Sequence, residues 1–130
     1  MASAASNLST LFGTQVDEEF MAFVDDEHSL GICRQVASEK EWSADAIQDG
    51  GIGVALERIE AGHSPKVVFA DISRSLDPEA DITRLVRKMG PNNNLILLGA
   101  SNDVAVFRKM IALGARDYLV KPLTAELFVD

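Results

Sequence analysis

Lys66-Val67-Val68-Phe69-Ala70-Asp71 decides the fold: a short apolar run, entered through Ser64-Pro65 and stopped by a carboxylate. A run rich in Val and Phe with no polar alternation predicts a central strand of a parallel sheet, covered on both faces by helices. Its last residue then stands at the carboxyl edge of the sheet, where open α/β folds place ligands. Asp71 is therefore the first candidate for chemistry.

The pattern recurs on both sides of this run. Phe20-Met21-Ala22-Phe23-Val24 is a second apolar stretch and stops at Asp25-Asp26. From His28 onward, Leu30, Cys33, Val36 and Ala37 fall on one face of a helix that closes in Glu39-Lys40-Glu41. Trp42 to Ile47 is read as a weak second strand. The turn Asp49-Gly50-Gly51-Ile52-Gly53 follows, then a helix with Ile52, Leu56 and Ile59 inward and Ala61-Gly62 as its stop. Beyond Asp71, Asp77-Pro78 places an N-cap residue before a proline suited to the first helical position. Ile82, Leu85, Val86 and Met89 form that helix's buried stripe, and Gly90-Pro91 ends it.

Leu95-Ile96-Leu97-Leu98-Gly99 is a further strand. Ser101 or Asn102 is the expected cap of the next helix, whose stripe is Val104, Phe107 and Met110 or Ile111, with Gly114 as terminator. Asp117 to Lys121 is the last strand, stopped by Pro122, and Thr124 caps a fifth helix of which only the beginning is present. Five strands alternating with helices predict an α/β fold with a doubly wound parallel sheet in the order 2-1-3-4-5.

Composition bounds the function classes. At 130 residues and 47% hydrophobic content the chain supports one domain, read as 19–130, behind a small polar lead-in over 1–18 without periodicity. A formal charge of -8 argues against a nucleic-acid surface, which needs a basic face. A lone cysteine excludes an internal disulfide, no run approaches the length of a membrane helix, and the opening is too polar for a signal core. These features predict an intracellular protein without membrane insertion. Cys33 reads as core packing, Trp42 as packing at the end of the first helix, and His28 as part of a first helical turn; His63 takes no role. Gly50-Gly51-Ile52-Gly53 lacks both G-x-G-x-x-G and a P-loop lysine, which leaves a nucleotide- or flavin-binding domain the least favoured reading.

Three carboxylates at one sheet edge would form an oxygen-only site suited to Mg²⁺. Lys121 would add a point positive charge. An Asp71 attack on a phosphoryl group, with metal and lysine offsetting charge on its oxygens, would leave an acyl phosphate.

Asp25-Asp26 after the first strand, Asp71 after the third and Lys121-Pro122 after the fifth carry a family resemblance. Its most specific piece is Gly114-Ala115-Arg116-Asp117-Tyr118-Leu119-Val120-Lys121-Pro122-Leu123-Thr124. From about Glu19 to its end the chain resembles the receiver domain of two-component response regulators. Its polar lead-in, degenerate loops and acidity are similar to the atypical receiver at the front of the CpaE/TadZ pilus-assembly proteins. The resemblance implies that Asp71 is the phosphoacceptor and that Asp25, Asp26, Asp71 and the backbone carbonyl of Ser73 hold Mg²⁺. It also implies that Lys121 binds phosphate and that Tyr118 is an aromatic switch. Gly99 departs from the family, which has Thr or Ser there to bond the phosphoryl group and couple it to the switch. Ser101, two residues on, could substitute, although helix capping is its expected use. Ile72-Ser73-Arg74-Ser75 departs too, and Arg74 either assists phosphate binding or pairs with the acids.

The implied function is a receiver-like regulatory and interaction domain of a pilus-assembly protein, acting in localisation or assembly with degenerate phosphorylation. It is not an enzyme beyond self-phosphorylation on Asp71. The alternative is a phosphorylatable receiver of a two-component signalling protein, with Mg²⁺-dependent transfer to Asp71. Partners would be proteins of the pilus-assembly or signalling complex, in the bacterial cytoplasm, with the cell pole as one location. A MinD/ParA-like ATPase domain would lie beyond Asp130, since no Walker-type G-x-x-x-x-G-K-[ST] occurs here. An unfinished fifth helix would leave the faces of strands one, three and five, Leu119 included, partly uncovered, which predicts a homodimer through helix 4 and strand 5. Without metal, Arg74 or Lys121 is expected to pair with Asp71.

Overall fold

Elements alternate along the chain as β1 (Phe20–Val24), α1 (Glu27–Glu39), β2 (Ile47–Asp49), α2 (Ile52–Glu60), β3 (Val67–Asp71), α3 (Pro78–Lys88), β4 (Asn94–Gly99), α4 (Val104–Leu113) and β5 (Asp117–Val120), with 3₁₀ turns at Ala44–Ala46 and Ala125–Phe128. The computed structural model describes residues 19–128, so the lead-in expected over 1–18 lies outside the described residues. All strand pairs are parallel, in the order β2-β1-β3-β4-β5, as the alternation predicts.

The unbroken apolar runs follow from burial on both faces. Met21, Phe23, Val68, Ala70, Leu95 and Leu97 pack beneath α2 and α3 with Ile52, Leu56, Ile82 and Leu85. Phe20, Ala22, Val24, Phe69 and Leu98 meet Leu30, Cys33 and Ala37 of α1 on the opposite face, joined by Leu123. Each such large side chain contributes about 1.5 to 3 kcal/mol, more than a helix cap at about 1 kcal/mol. Core burial therefore decides between alternative local readings.

Three local expectations are corrected. The second strand is not Trp42 to Ile47 but Ile47–Asp49, paired as Ala22↔Ile47, Phe23↔Gln48 and Val24↔Asp49. Ser43 turns the preceding chain into a 3₁₀ turn, its carbonyl accepting from the Ala46 amide at 2.9 Å and its hydroxyl from the Asp45 amide at 3.1 Å. Trp42 stacks on Phe20 with centroids 4.4 Å apart, the packing expected of it at the end of α1. The cap of α4 is Asp103, whose Oδ1 accepts from the Ala105 amide at 2.7 Å, rather than Ser101 or Asn102. The inward stripe of α4 is Val106, Met110 and Leu113, at helical spacings of four and three; Val104, Phe107 and Ile111 are 62%, 40% and 36% exposed.

A fourth correction concerns coverage. The faces of β1 and β3 are not left open: α1 and Leu123 bury Phe20, Ala22, Val24 and Phe69, while Leu119 and Val120 of β5 stay half-buried. Two helix ends form where the residue types predict them. Asp77 caps α3 through the Ala80 amide with Pro78 in the first turn, and Gly114 ends α4 at φ 121°, a left-handed conformation that disfavours a side chain.

Candidate functional site

Parallel register brings the acids together. Phe23 pairs with Ala70, so Asp25, just past the end of β1, emerges beside Asp71, the last residue of β3. Across β4, Gly99 pairs with Val120 and accepts from the Lys121 amide at 2.9 Å, which delivers the Lys121 side chain to the same rim. One oxygen each of Asp25, Asp26 and Asp71 lies within 4.8 Å of the others.

Lys121 Nζ stands 2.7 Å from Asp26 Oδ2, 2.7 Å from Asp71 Oδ2 and 3.9 Å from Asp25 Oδ1. Asp71 is 1% exposed. Its other oxygen, Oδ1, accepts from the Ser73 hydroxyl at 2.6 Å and from the Ser73 amide at 2.9 Å. Lys121 also donates to the Ser73 hydroxyl at 3.0 Å. Asp71 Oδ1 is thus hydrogen-bonded and Oδ2 ion-paired to Lys121, and Ser73, expected to offer its carbonyl to a metal, presents its amide and hydroxyl to Asp71. Of the two cations expected near Asp71, Lys121 takes the place. Arg74 is exposed and reaches only Asp25, at 3.9 Å.

Electrostatics separate the three acids. Burial pushes the Asp26 carboxyl up, but the Lys121 ammonium and the amide and hydroxyl of Ser29 outweigh it and hold it at about 2. Those Ser29 contacts, 2.7 and 2.9 Å, also make Asp26 the N-cap of α1. For Asp71, burial is likewise overcome, by Lys121 and by both Ser73 donors, and its pKa is lowered. Asp25 goes the other way: burial, then the neighbouring Asp71 carboxyl, raise it beyond what Lys121 and Arg74 offset. Lys121 is itself raised, its burial outweighed by Asp26 and Asp71.

Such a donor set suits a hard cation. Asp25 Oδ1 and Asp71 Oδ2 are both buried without a hydrogen-bond donor among the described residues, each with ion-pair contacts alone, and three carboxylates face a single ammonium. A cavity of about 410 Å³ opens beside Asp25 and Asp71, walled by Gly51, Arg74 and Asp81. Gly51 is required there, because a Cβ would come within 2.6 Å of the Asp71 carbonyl oxygen and 3.2 Å of Asp25 Oδ2.

Tyr118, the expected switch, is 5% exposed and donates from its hydroxyl to the Ser101 carbonyl at 2.8 Å. The Ser101 hydroxyl accepts from the Asp103 amide at 3.3 Å and so serves the start of α4. His28, read only as a helical residue, has a further contact: its Nε2 lies 2.8 Å from the Leu123 carbonyl, tying α1 to the chain after Lys121. Nothing in the spacing signals this partner 95 residues away. Cys33 is core, as expected, and burial raises its thiol to about 12.

No family model and no curated protein matches the sequence. Among solved structures, the chain is similar to a candidate CpaE2 pilus assembly protein from Sinorhizobium meliloti 1021, with TM-score 0.75 and 24% identity over 85% of this chain and 93% of that one. A pilus assembly protein CpaE from Caulobacter crescentus CB15 gives TM-score 0.71 and 20% identity over 84% and 91%. The beryllofluoride-activated DrrB receiver domain gives 0.65 and 19% over 85% and 90%. The chain has the fold shared by CpaE proteins and response-regulator receiver domains. Among the described residues no helix is long and apolar enough to cross a membrane.

Proposed function

We propose that this is a receiver-like regulatory and interaction domain of a pilus-assembly protein of the CpaE/TadZ kind, with phosphorylation of Asp71 reduced or lost. The observation that carries the reading is the closed state of the acceptor. Lys121 and Ser73 engage both Asp71 oxygens, and Gly99 offers no hydroxyl to an incoming phosphoryl group. Loss of one hydrogen bond to an anion costs about 1.5 to 3 kcal/mol, enough to lower acyl-phosphate occupancy at least tenfold. Incubation with Mg²⁺ and acetyl phosphate followed by intact-mass measurement tests this. A small or absent phosphate adduct is expected; near-complete modification that vanishes in Asp71→Asn would sink it.

That result would instead establish the second reading, a competent phosphoacceptor with Mg²⁺ held by Asp25, Asp26, Asp71 and the Ser73 carbonyl. Asp25 Oδ1, which accepts no hydrogen bond among the described residues and has only long ion-pair contacts, favours it. In that reaction an Asp71 oxygen bonds to phosphorus while the bond from phosphorus to the acetate oxygen breaks, and acetate leaves with the electron pair.

The pilus-assembly part of the reading draws on likeness of fold to CpaE structures and on the KP-containing segment Gly114 to Thr124. It brings with it protein partners, a neighbouring ATPase domain, a bacterial cytoplasmic setting near a cell pole, and a homodimer through α4 and β5. Exposed Val104, Phe107 and Ile111 support self-association there. Light scattering over a concentration series checks the dimer, with a monomer at every concentration as the contrary result. Fluorescent tagging checks the location, and counting pili after removal of this domain in its host checks the role.

A further inference from the structure

We infer that the bare backbone of Gly99 fixes Tyr118 in its inward position, so that the α4–β5 face keeps one arrangement whatever happens at Asp71. The inference deepens the proposed function and rests on Asp71 being the place where a signal would arrive.

Gly99 and Tyr118 lie on one face of adjacent strands, where Leu97 pairs with Tyr118 and Gly99 with Val120. That makes them diagonal neighbours, a separation an aromatic ring spans. A Cβ at position 99 would collide with the Tyr118 hydroxyl and lie 2.8 and 2.9 Å from Cε1 and Cζ. Gly99 is not among the residues with positive φ, so the backbone there has no need of glycine. What the glycine supplies is room. The ring fills it, and the hydroxyl is satisfied by the Ser101 carbonyl at the start of α4. Outward rotation would surrender that bond, expose an aromatic ring and open a void beside Gly99. Nothing at Asp71 compensates for these losses: its oxygens bond Ser73 and face Lys121, and Gly99 has no side chain to pull toward a new anion.

Tyr118 is the only tyrosine in the chain, so 3-fluorotyrosine labelling gives one ¹⁹F resonance for this ring. The experiment records that resonance with Mg²⁺ alone and with Mg²⁺ and beryllofluoride, whose bound fluorines report occupancy of Asp71 independently. Expected are a single resonance with little solvent-isotope shift, unmoved by bound beryllofluoride, and a displaced, solvent-sensitive resonance in Gly99→Ala. A wild-type resonance that moves when beryllofluoride binds overturns the inference while leaving Asp71 as a functional acceptor. If no beryllofluoride binds, the reading of Asp71 as closed stands, and Gly99→Ala decides: an unchanged resonance there overturns the fixed ring. Should circular dichroism show that Gly99→Ala does not fold, the wild-type protein decides on warming below its melting transition. A ring that stays solvent-shielded supports the inference, and a growing solvent-isotope shift before unfolding overturns it.

Discussion

Lys121 Nζ lies 2.7 Å from Asp71 Oδ2, and the same ammonium lies 2.7 Å from Asp26 Oδ2. One side chain from the end of β5 thus ties the buried acid of β3 to the cap of α1, where a divalent cation would otherwise offset the charge. Interactions of this kind matter less for their net energy than for the cost of removing one partner.

Lys121→Met should therefore lower unfolding free energy at neutral pH in the presence of a chelator. The expected loss is about 1 to 3 kcal/mol, below the value for a fully buried pair because Lys121 is partly solvated. Mg²⁺ should restore part of it. Urea titration with and without Mg²⁺ reads both effects, and equal stability of variant and wild type in chelator would remove the bridge from the account.

Asp25→Asn should stabilise the metal-free protein. The native carboxyl is half-buried beside Asp71 and raised in pKa, so its charge opposes folding near neutrality. The same change should weaken Mg²⁺ binding at least tenfold, measured by calorimetric titration. A variant less stable than wild type in chelator would contradict the like-charge argument.

Asp26 should give stability an acid limb. Its folded pKa is about 2 against an ordinary 3.8, so its contribution is complete above pH 3.8 and is lost as pH falls toward 2. Asp26→Asn should be less stable near neutrality and should show a shallower decline over that window. Parallel slopes in a series of denaturation curves across it would count against the assignment.

Two substitutions separate the inner and outer faces of the helical layer. Ile82→Ala, at a fully buried site in α3, should cost about 2 to 5 kcal/mol. Phe107→Ser, on the exposed side of α4, should change stability by no more than about 0.5 kcal/mol while weakening self-association. Denaturation midpoints and light scattering on the same samples distinguish them, and a large destabilisation by Phe107→Ser would put Phe107 in the buried stripe of α4.

Much of this architecture is legible without coordinates. Phe20–Val24, Val67–Asp71 and Leu95–Gly99 announce themselves because strands buried on two faces admit no polar alternation. Asp77-Pro78 and Gly114 mark helix ends because capping and left-handed backbone each demand particular residue types. Where two local solutions are close in energy, the residue pattern does not choose between them. Trp42 to Ile47 has strand-favouring residues only at its two ends, and the Ser43 turn and the Trp42–Phe20 stack take the first part of it. Along α4 two apolar stripes compete, and only contact with α3 and the sheet selects Val106, Met110 and Leu113.

The chain alone determined that acids would stand at strand ends and a lysine at another, since those positions are set by where apolar runs stop. Only the tertiary structure decided which oxygen faces which donor: that Lys121 rather than Arg74 answers Asp71, that Ser73 turns its hydroxyl inward, and that Tyr118 occupies the space Gly99 leaves. The reason is one of range. Strand and helix signals come from neighbours within a few residues, whereas Lys121 reaches Asp71 and the Ser73 hydroxyl from 48 or more positions away, and the place of Tyr118 follows from volume that only packing creates.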